Sequence, residues 1–413
     1  MEQDIPVIVL KPGKEKQPKN HHPWIFSGAV GHPRKNDIPT EPHVVKVVDS
    51  ANTFVAYGWC DTPSHIMIRL LSWDPGDMID EHWVVSRVRE SIQRRMNLIV
   101  GSKGHTNAFR LIHGEADFLP GVAVDMFSSS IVILLSSSFA LMWKQVLVTT
   151  LQSLINPAKI FVQVDESFVA EDSKSVSGLY VGGKKVESVS ERELFAACRE
   201  NDIHYLVPVN GQKTGFYCDQ RENRRITATY TEGKDVLDLF SYTGGFTLNA
   251  LKSGARSVCA VDSSQKALAL LNQHIRLNEE KGVIRAGSST AVTTCKDNVF
   301  EYLRKIDPGK YDVIIVDPPK LASVKSQVPQ ALKAYKDLNR LAFEKVRKGG
   351  LVATFSCSSG VGIDDLKMAV AWAAKDAHKE IHILSFFHQS SDHPVRISFP
   401  ESNYLKGFLL EII

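Results

Sequence analysis

The chain has no pair of cysteines at the two-residue spacing that grips zinc. Its six cysteines, Cys60, Cys198, Cys218, Cys259, Cys295 and Cys357, are scattered along 413 residues. That pattern argues against a metal centre and a small disulfide scaffold, and a reducing compartment is the simpler setting. No secretory leader is expected either. Met1-Glu2-Gln3-Asp4-Ile5-Pro6 lacks a basic start and an apolar core, and its early acids disfavour a transit peptide. The expected location is cytoplasmic, with an organelle left open. The most apolar stretch, residues 131–148, is broken by Ser136-Ser137-Ser138 and Lys144, so no membrane span is expected. A net charge of +3 is too small to imply a polyanionic partner, so a nucleic-acid reading must rest on local features. Repeats and low-complexity tracts are also lacking. What remains is ordinary globular composition, 43% hydrophobic and 23% charged, at a length that suggests two or three domains.

Residues 1–75 read as a small all-β module: apolar runs at 44–48, 53–59 and 66–70 are separated by turn signals such as Asp49-Ser50-Ala51-Asn52. Residues 76–195 read as α+β. A helix is expected over 81–98, with Trp83, Val84, Val88, Ile92 and Met96 on one stripe, and another over 141–154; strands are expected at 123–125 and 131–135. From 196 to 413 the pattern turns regular. Strands at 236–240, 257–261, 292–295, 312–316 and 351–355 alternate with helices, and two last strands near 381–387 and 405–412 have no helix between them. This predicts a doubly wound, mostly parallel α/β sheet with an antiparallel pair at its end.

Doubly wound sheets bind ligands at the carboxyl ends of their strands. The first strand here runs into Asp238-Leu239-Phe240-Ser241-Tyr242-Thr243-Gly244. Ser241 and Tyr242 replace the first glycines of a phosphate-binding loop. S-adenosylmethionine (SAM) carries a sulfonium and no phosphate, so a carboxylate such as Asp238 suits it better than an anion nest. The second strand ends in Asp262-Ser263, 24 residues after Asp238, where an acid can accept both ribose hydroxyls. Asp297-Asn298 follows the third strand, in place for an adenine edge. Another Rossmann-like enzyme is the competing interpretation of these acids.

The fourth strand runs into Asp317-Pro318-Pro319-Lys320 and the fifth into Ser356-Cys357-Ser358. Prolines cannot continue a ladder, so the chain turns away there and exposes Asp317 and Lys320. Methylation at carbon 5 of a pyrimidine needs a nucleophile at carbon 6, and a strand-end thiol is the best one available at neutral pH. Cys357, Asp317 and Lys320 are therefore the catalytic candidates. An inert buried thiol is the bland alternative for Cys357; its place opposite Asp-Pro-Pro-Lys favours chemistry.

These segments, with Lys213 to Arg224 (Lys-Thr-Gly-Phe-Tyr-Cys-Asp-Gln-Arg-Glu-Asn-Arg) and Asp392-His393-Pro394-Val395, closely resemble the bacterial large-subunit (23S) ribosomal RNA cytosine-C5 methyltransferase family. The resemblance spans nearly the whole chain: His22 to Val30 looks like the start of a PUA domain, and Arg110 to Glu115 like the middle domain. It implies a class I SAM-dependent methyltransferase behind a β-barrel PUA-like RNA-binding domain, with Cys357 as nucleophile. It also implies that Asp238, Asp262, Asp297 and Asp317 line the donor pocket, with Gln220 and Arg221 near the cofactor or target base. Three positions depart from the family pattern: Phe118 where glycine is usual, Met126 where arginine is usual, and Leu321 where phenylalanine is usual.

RNA is the expected partner; a homodimer is left open. Two basic runs, Lys11 to His22 and Lys325 to Lys348, either contact phosphates or are solvated faces. A methyltransferase for another base and an RNA-binding protein with a relic domain are the alternative functions.

Overall fold

The computed structural model describes residues 5–31, 41–62, 64–165, 177–186, 190–209, 211, 214–322 and 324–413; Lys213 of the motif above lies outside them. The chain forms two compact units. One comprises residues 1–196, 207–216 and 394–402; the other comprises 197–206, 217–393 and 403–413.

The first unit opens with a five-stranded sheet in the spatial order Val7–Val9, His43–Val48, Phe54–Cys60, Ile68–Ser72, Trp24–Ile25. Alternate residues Val45, Val47, Ile68 and Leu70 turn inward onto Ile8, Leu10 and Ile25, the period-2 burial that drives a small β module. The three runs read from sequence are the inner strands. The two short outer ones, Val7–Val9 and Trp24–Ile25, are too brief to show a period.

A six-stranded sheet follows, from Ala108–His113 through Val122–Phe127, Ser130–Leu135, Lys159–Val164 and Gly178–Val181 to Lys184–Val186. The helices Glu81–Gly101 and Lys144–Ile155 supply Trp83, Val84, Val88, Leu147 and Leu151 to its core. Asp80 caps the first helix by accepting the Trp83 N–H at 2.9 Å. One expected core position is corrected: Met96 is exposed, and Arg95 is buried in its stead. Arg95 closes the stripe because its guanidinium meets both oxygens of the buried Asp117 at 2.8 and 2.6 Å, which removes the penalty of burying either charge alone.

Phe118 follows Asp117 with φ +63, the left-handed region where glycine is at ease and other residues are strained by about 1 kcal/mol. The resemblance pattern has glycine here. This chain stacks the Arg396 guanidinium 4.2 Å from the Phe118 ring centroid, an attraction of comparable size.

The second unit is the doubly wound domain. It begins with the helix α1 (Arg221–Ala228) and strand β1 (Asp235–Leu239), followed by α2 (Gly245–Lys252), β2 (Ser257–Asp262), α3 (Gln265–Glu280) and β3 (Val292–Lys296). Then come α4 (Val299–Lys305), β4 (Tyr311–Val316), α5 (Val328–Lys345), β5 (Val346–Ser356), α6 (Ile363–Asp376), β6 (Ile381–His388) and β7 (Lys406–Ile412). The strand order is β3-β2-β1-β4-β5-β7-β6. The first five are parallel, and β7 runs antiparallel between β5 and β6. The order reverses at β1, so the ends of β1 and β4 flank the topological switch point. The core is built from the apolar faces of these strands, for example Leu237, Val261, Ile314 and Val352, against Leu338, Phe343, Leu366 and Ala369 of α5 and α6.

Candidate active site

Strand β1 ends in a loop with an unusual backbone. Phe240, Tyr242 and Gly244 take φ +60, +48 and +87, and two non-glycine left-handed residues in one turn store strain of the kind found at binding sites. Gly244 is required there. A Cβ added to it would lie 2.0 Å from Leu271 Cδ1 of α3, on a backbone already at positive φ. Gly244→Ala is expected to weaken S-adenosylhomocysteine (SAH) binding by at least about tenfold and to lower the melting temperature; calorimetric titration and a thermal melt read both.

Asp238 is 1% exposed at the end of β1. One carboxylate oxygen accepts the Thr247 N–H at 3.0 Å and its hydroxyl at 2.6 Å. The other oxygen and the Ser241 hydroxyl are both buried without a protein partner. Each such atom costs about 1–3 kcal/mol unless something donates to or accepts from it. Burial pushes the Asp238 carboxyl up to about 7, against the pull of the Thr247 hydrogen bonds. These orphaned oxygens fit a ligand with amino and hydroxyl donors, as SAM has.

Asp262 ends β2. Its oxygens accept the Tyr242 N–H at 2.9 Å and the Ser264 N–H at 2.8 Å, so this acid fixes the β1 loop as well as its own turn. Thr243 is buried in that loop, and its carbonyl meets His274 Nδ1 of α3 at 3.0 Å. Ser263 is exposed beside it. Asp297 accepts the Asn298 N–H at 2.8 Å and meets Lys305 at 3.2 Å, while Asn298 caps α4 by accepting the Phe300 N–H at 3.0 Å. Thus Asp262 is tied by a hydrogen bond to the Phe240–Gly244 loop and Asp238 to Thr247 of α2, whereas Asp297 and Asn298 contact the start of α4.

At the next switch-point edge the chain turns away after Val316, as the two prolines dictate. Asp317 is half-buried and Lys320 exposed. Cys357, half-buried after β5, holds its sulfur 3.9 Å from the Pro318 carbonyl. The other five cysteines are buried or half-buried, and Cys259 and Cys295 face each other across β2 and β3 with sulfurs 3.8 Å apart. The buried Ser358 hydroxyl accepts the Leu321 and Ala322 N–H groups, each at 3.1 Å, and meets the Tyr335 hydroxyl at 3.2 Å. One serine therefore locks the turn after β4 to the turn that carries Cys357. Tyr335 of α5 and Tyr217, ahead of α1, both face Asp317 and Cys357, and burial raises both phenols. Tyr335 was not legible as a site residue: it sits on an apolar stripe, and only the packing of α5 brings its hydroxyl to Ser358.

The segment before β1 is a buried polar network. Gln220 accepts an amide hydrogen from Asn223 at 2.7 Å. Arg224 meets both Glu200 oxygens at 2.8 Å and donates to the Tyr217 carbonyl at 2.7 Å. Arg221 grips both oxygens of Asp392 at 3.1 and 3.0 Å, and His393 adds a contact at 3.1 Å. Asp392 is fully buried, and although burial opposes its ionisation, the contacts from His393 and Arg221 hold its carboxyl well below the usual range. Asp392→Ala would remove the bidentate partner of the buried Arg221, an expected loss of about 3–5 kcal/mol. Because this carboxyl is depressed in the fold, its contribution is present above the ordinary carboxylate range and is lost as pH falls below it. Urea unfolding at pH 7 and pH 3 should therefore show the variant's deficit shrinking in acid.

Several cations of the second basic run already have partners. Lys336 pairs with Asp376, Arg340 with Asp337 and Glu344, and Arg347 with Asp312, while Lys345 reaches the Ile306 carbonyl. In the first run Lys19 pairs with Asp49, His22 meets Glu401, and His21 stacks on Trp73 at 4.8 Å. Among the described residues no helix is long and apolar enough to cross a membrane, and no His/Cys/Asp/Glu cluster is arranged to hold a metal.

Residues 8–73 match a PUA-like domain family, and residues 187–395 match the S-adenosylmethionine-dependent methyltransferase family. The chain is 37% identical to ribosomal RNA large subunit methyltransferase I of Cronobacter sakazakii, and 35% identical to its Escherichia coli counterpart. Each match covers 98% of this chain and 99% of the relative. Among solved structures, a SAM-dependent methyltransferase from Streptococcus mutans superposes with a TM-score of 0.80 at 22% identity, over 98% of this chain and 99% of that one. A methyltransferase solved with SAH matches equally; at that identity the likeness speaks for the fold. Orphaned oxygens at the end of β1, a strand order that reverses there, and homology over the full length thus agree: the chain belongs to the S-adenosylmethionine-dependent methyltransferases with an N-terminal PUA-like domain, the family of the large-subunit methyltransferase I proteins.

Proposed function

We propose that this protein methylates carbon 5 of a cytosine in large-subunit ribosomal RNA through a covalent Cys357 adduct. The observation that carries the reading is the position of the Cys357 sulfur, 3.9 Å from the Pro318 carbonyl and thus beside Asp317-Pro318-Pro319-Lys320. The RNA class is supported by the relatives at 35–37% identity, which bear the name of ribosomal RNA large subunit methyltransferases.

Bound SAM supplies a methyl group on a positively charged sulfur. Asp238, Ser241 and the Phe240–Gly244 loop would hold it, with Asp262 and Asp297 toward its nucleoside end. The target base must leave its stack to reach a half-buried sulfur. Cys357, as thiolate, forms a bond to carbon 6 and drives the C5=C6 electron pair onto carbon 5. Carbon 5 bonds to the methyl carbon as the methyl–sulfur bond breaks, and that electron pair stays on sulfur to leave SAH. A base then takes the carbon 5 proton; the freed pair restores the double bond and expels the thiolate. Asp317 is the acceptor at hand for the cytosine amino group, and Lys320, exposed on the same turn, is placed for backbone phosphate. Gln220, just before α1, and Arg221, its first residue, would lie near the cofactor or the target base.

Fluorine at carbon 5 cannot leave as a proton does, so the last step stalls. Ribosomal RNA fragments containing 5-fluorocytosine are expected to yield, with SAM, a denaturation-resistant protein–RNA adduct that maps to Cys357. An active enzyme that forms no adduct would sink the covalent mechanism.

A further inference from the structure

Lys406 is a lysine in an apolar strand. It opens β7, whose following residues Gly407 to Leu410 are buried, and it is itself only 5% exposed. Its Cα pairs with Ser356 on β5 and with His388 on β6, which sets it beside the residue preceding Cys357. Its ammonium donates to the Ser358 carbonyl at 3.0 Å and to the Val361 carbonyl. Both acceptors belong to the turn that Cys357 begins. A buried ammonium is costly unless it is satisfied, and two carbonyls alone do not balance its charge.

Three titratable groups face Lys406: Cys357 on the turn, Asp365 on α6 and His388 across the strand pair. Burial lowers the Lys406 amine to about 8, while Cys357 and Asp365 pull it back upward. Around the sulfur itself stand Tyr217 and Tyr335, which burial keeps un-ionised, and the Asp317 carboxylate acts on the same two phenols. A thiolate at this place therefore meets a like charge from Asp317 and the opposite charge of Lys406.

We propose that Lys406 is a positioning residue for Cys357, clamping the 357–361 turn through its two carbonyls and providing the counter-charge that favours the thiolate. The inference rests on the reading of Cys357 as the nucleophile. It also explains why the antiparallel insertion of β7 matters to the chemistry: the strand delivers a cation from the far end of the chain to the turn after β5.

Alkylation of Cys357 by iodoacetamide, followed by peptide mass spectrometry from pH 6 to 10 on the full chain, tests this without RNA. In Lys406→Met the alkylation midpoint is expected to rise by about one unit or more, so labelling at pH 7 slows about tenfold. Lys406→Arg keeps the charge and is expected to stay near the native midpoint. SAH binding reports that each variant is folded. A Met variant that binds SAH and labels like the native protein would overturn the proposal. Should the Met variant lose SAH binding, the Arg variant decides, because an upward midpoint with the charge retained also overturns it. Failure of the covalent mechanism reads differently: the midpoints move as expected, yet no fluorocytosine adduct forms.

Discussion

Cys357→Ser is expected to lower the rate of methyl transfer by about three to five orders of magnitude while leaving SAH affinity within about twofold of native. A hydroxyl at this place is nearly isosteric, so the Ser358 hydrogen bonds to Leu321 and Ala322 should survive. What is lost is the nucleophile: serine is not ionised at neutral pH. Because the step disappears after binding, the loss should fall on kcat rather than on KM. Single-turnover transfer of labelled methyl groups into ribosomal RNA gives the rate, and titration calorimetry gives the affinity. Retention of more than a tenth of the native rate would return Cys357 to the role of a structural thiol and favour attack on an amino group, which needs no thiol.

Asp238 should make cofactor binding depend on pH. Its carboxyl sits at about 7 in the ligand-free fold because burial opposes ionisation, against roughly 4 in an unfolded chain. The folded pKa is the higher one. The corresponding stability is therefore fully present below about 4 and is lost as pH rises through 7, on the order of 4 kcal/mol at the limit. A ligand that donates hydrogen bonds to the partnerless oxygen favours the ionised form. SAH binding should thus release a proton below pH 7 and tighten by up to about tenfold per pH unit there, levelling off above it. Calorimetry in two buffers of different ionisation enthalpy measures the proton. Asp238→Asn should weaken binding about a hundredfold, as an added donor replaces an acceptor, and should abolish the Asp238 share of the slope. A native affinity that is flat from pH 5.5 to 8.5 would refute this assignment.

The strand-end acids and Cys357 were legible because a parallel sheet puts the end of every strand on one edge. Once β1, β2, β4 and β5 are recognised by their apolar runs, the following Asp238, Asp262, Asp317 and Cys357 are placed by topology. Asp297 carries contacts that this logic does not supply. It follows β3 as expected, yet its carboxylate meets Lys305 and the start of α4, a local choice that strand order does not reveal. The basic run from Lys325 to Lys348 acquires partners in a non-local way, since Asp312 and Asp376, distant in sequence from Arg347 and Lys336, pair with two of its cations.

By itself, the sequence determined the sheet, its alternating helices and the cofactor class, and it singled out Cys357 as the candidate sulfur. Each is encoded in short-range periodicity or in a motif a few residues long. Only the tertiary structure decided which groups surround that sulfur. Tyr335, Ser358 and Lys406 converge there from α5, the β5 turn and the last strand, and Arg221 finds Asp392 from 171 residues away. Burial makes such contacts matter, because a charge or hydroxyl removed from water must find its partner wherever the fold supplies one. No local spacing in the chain records that choice.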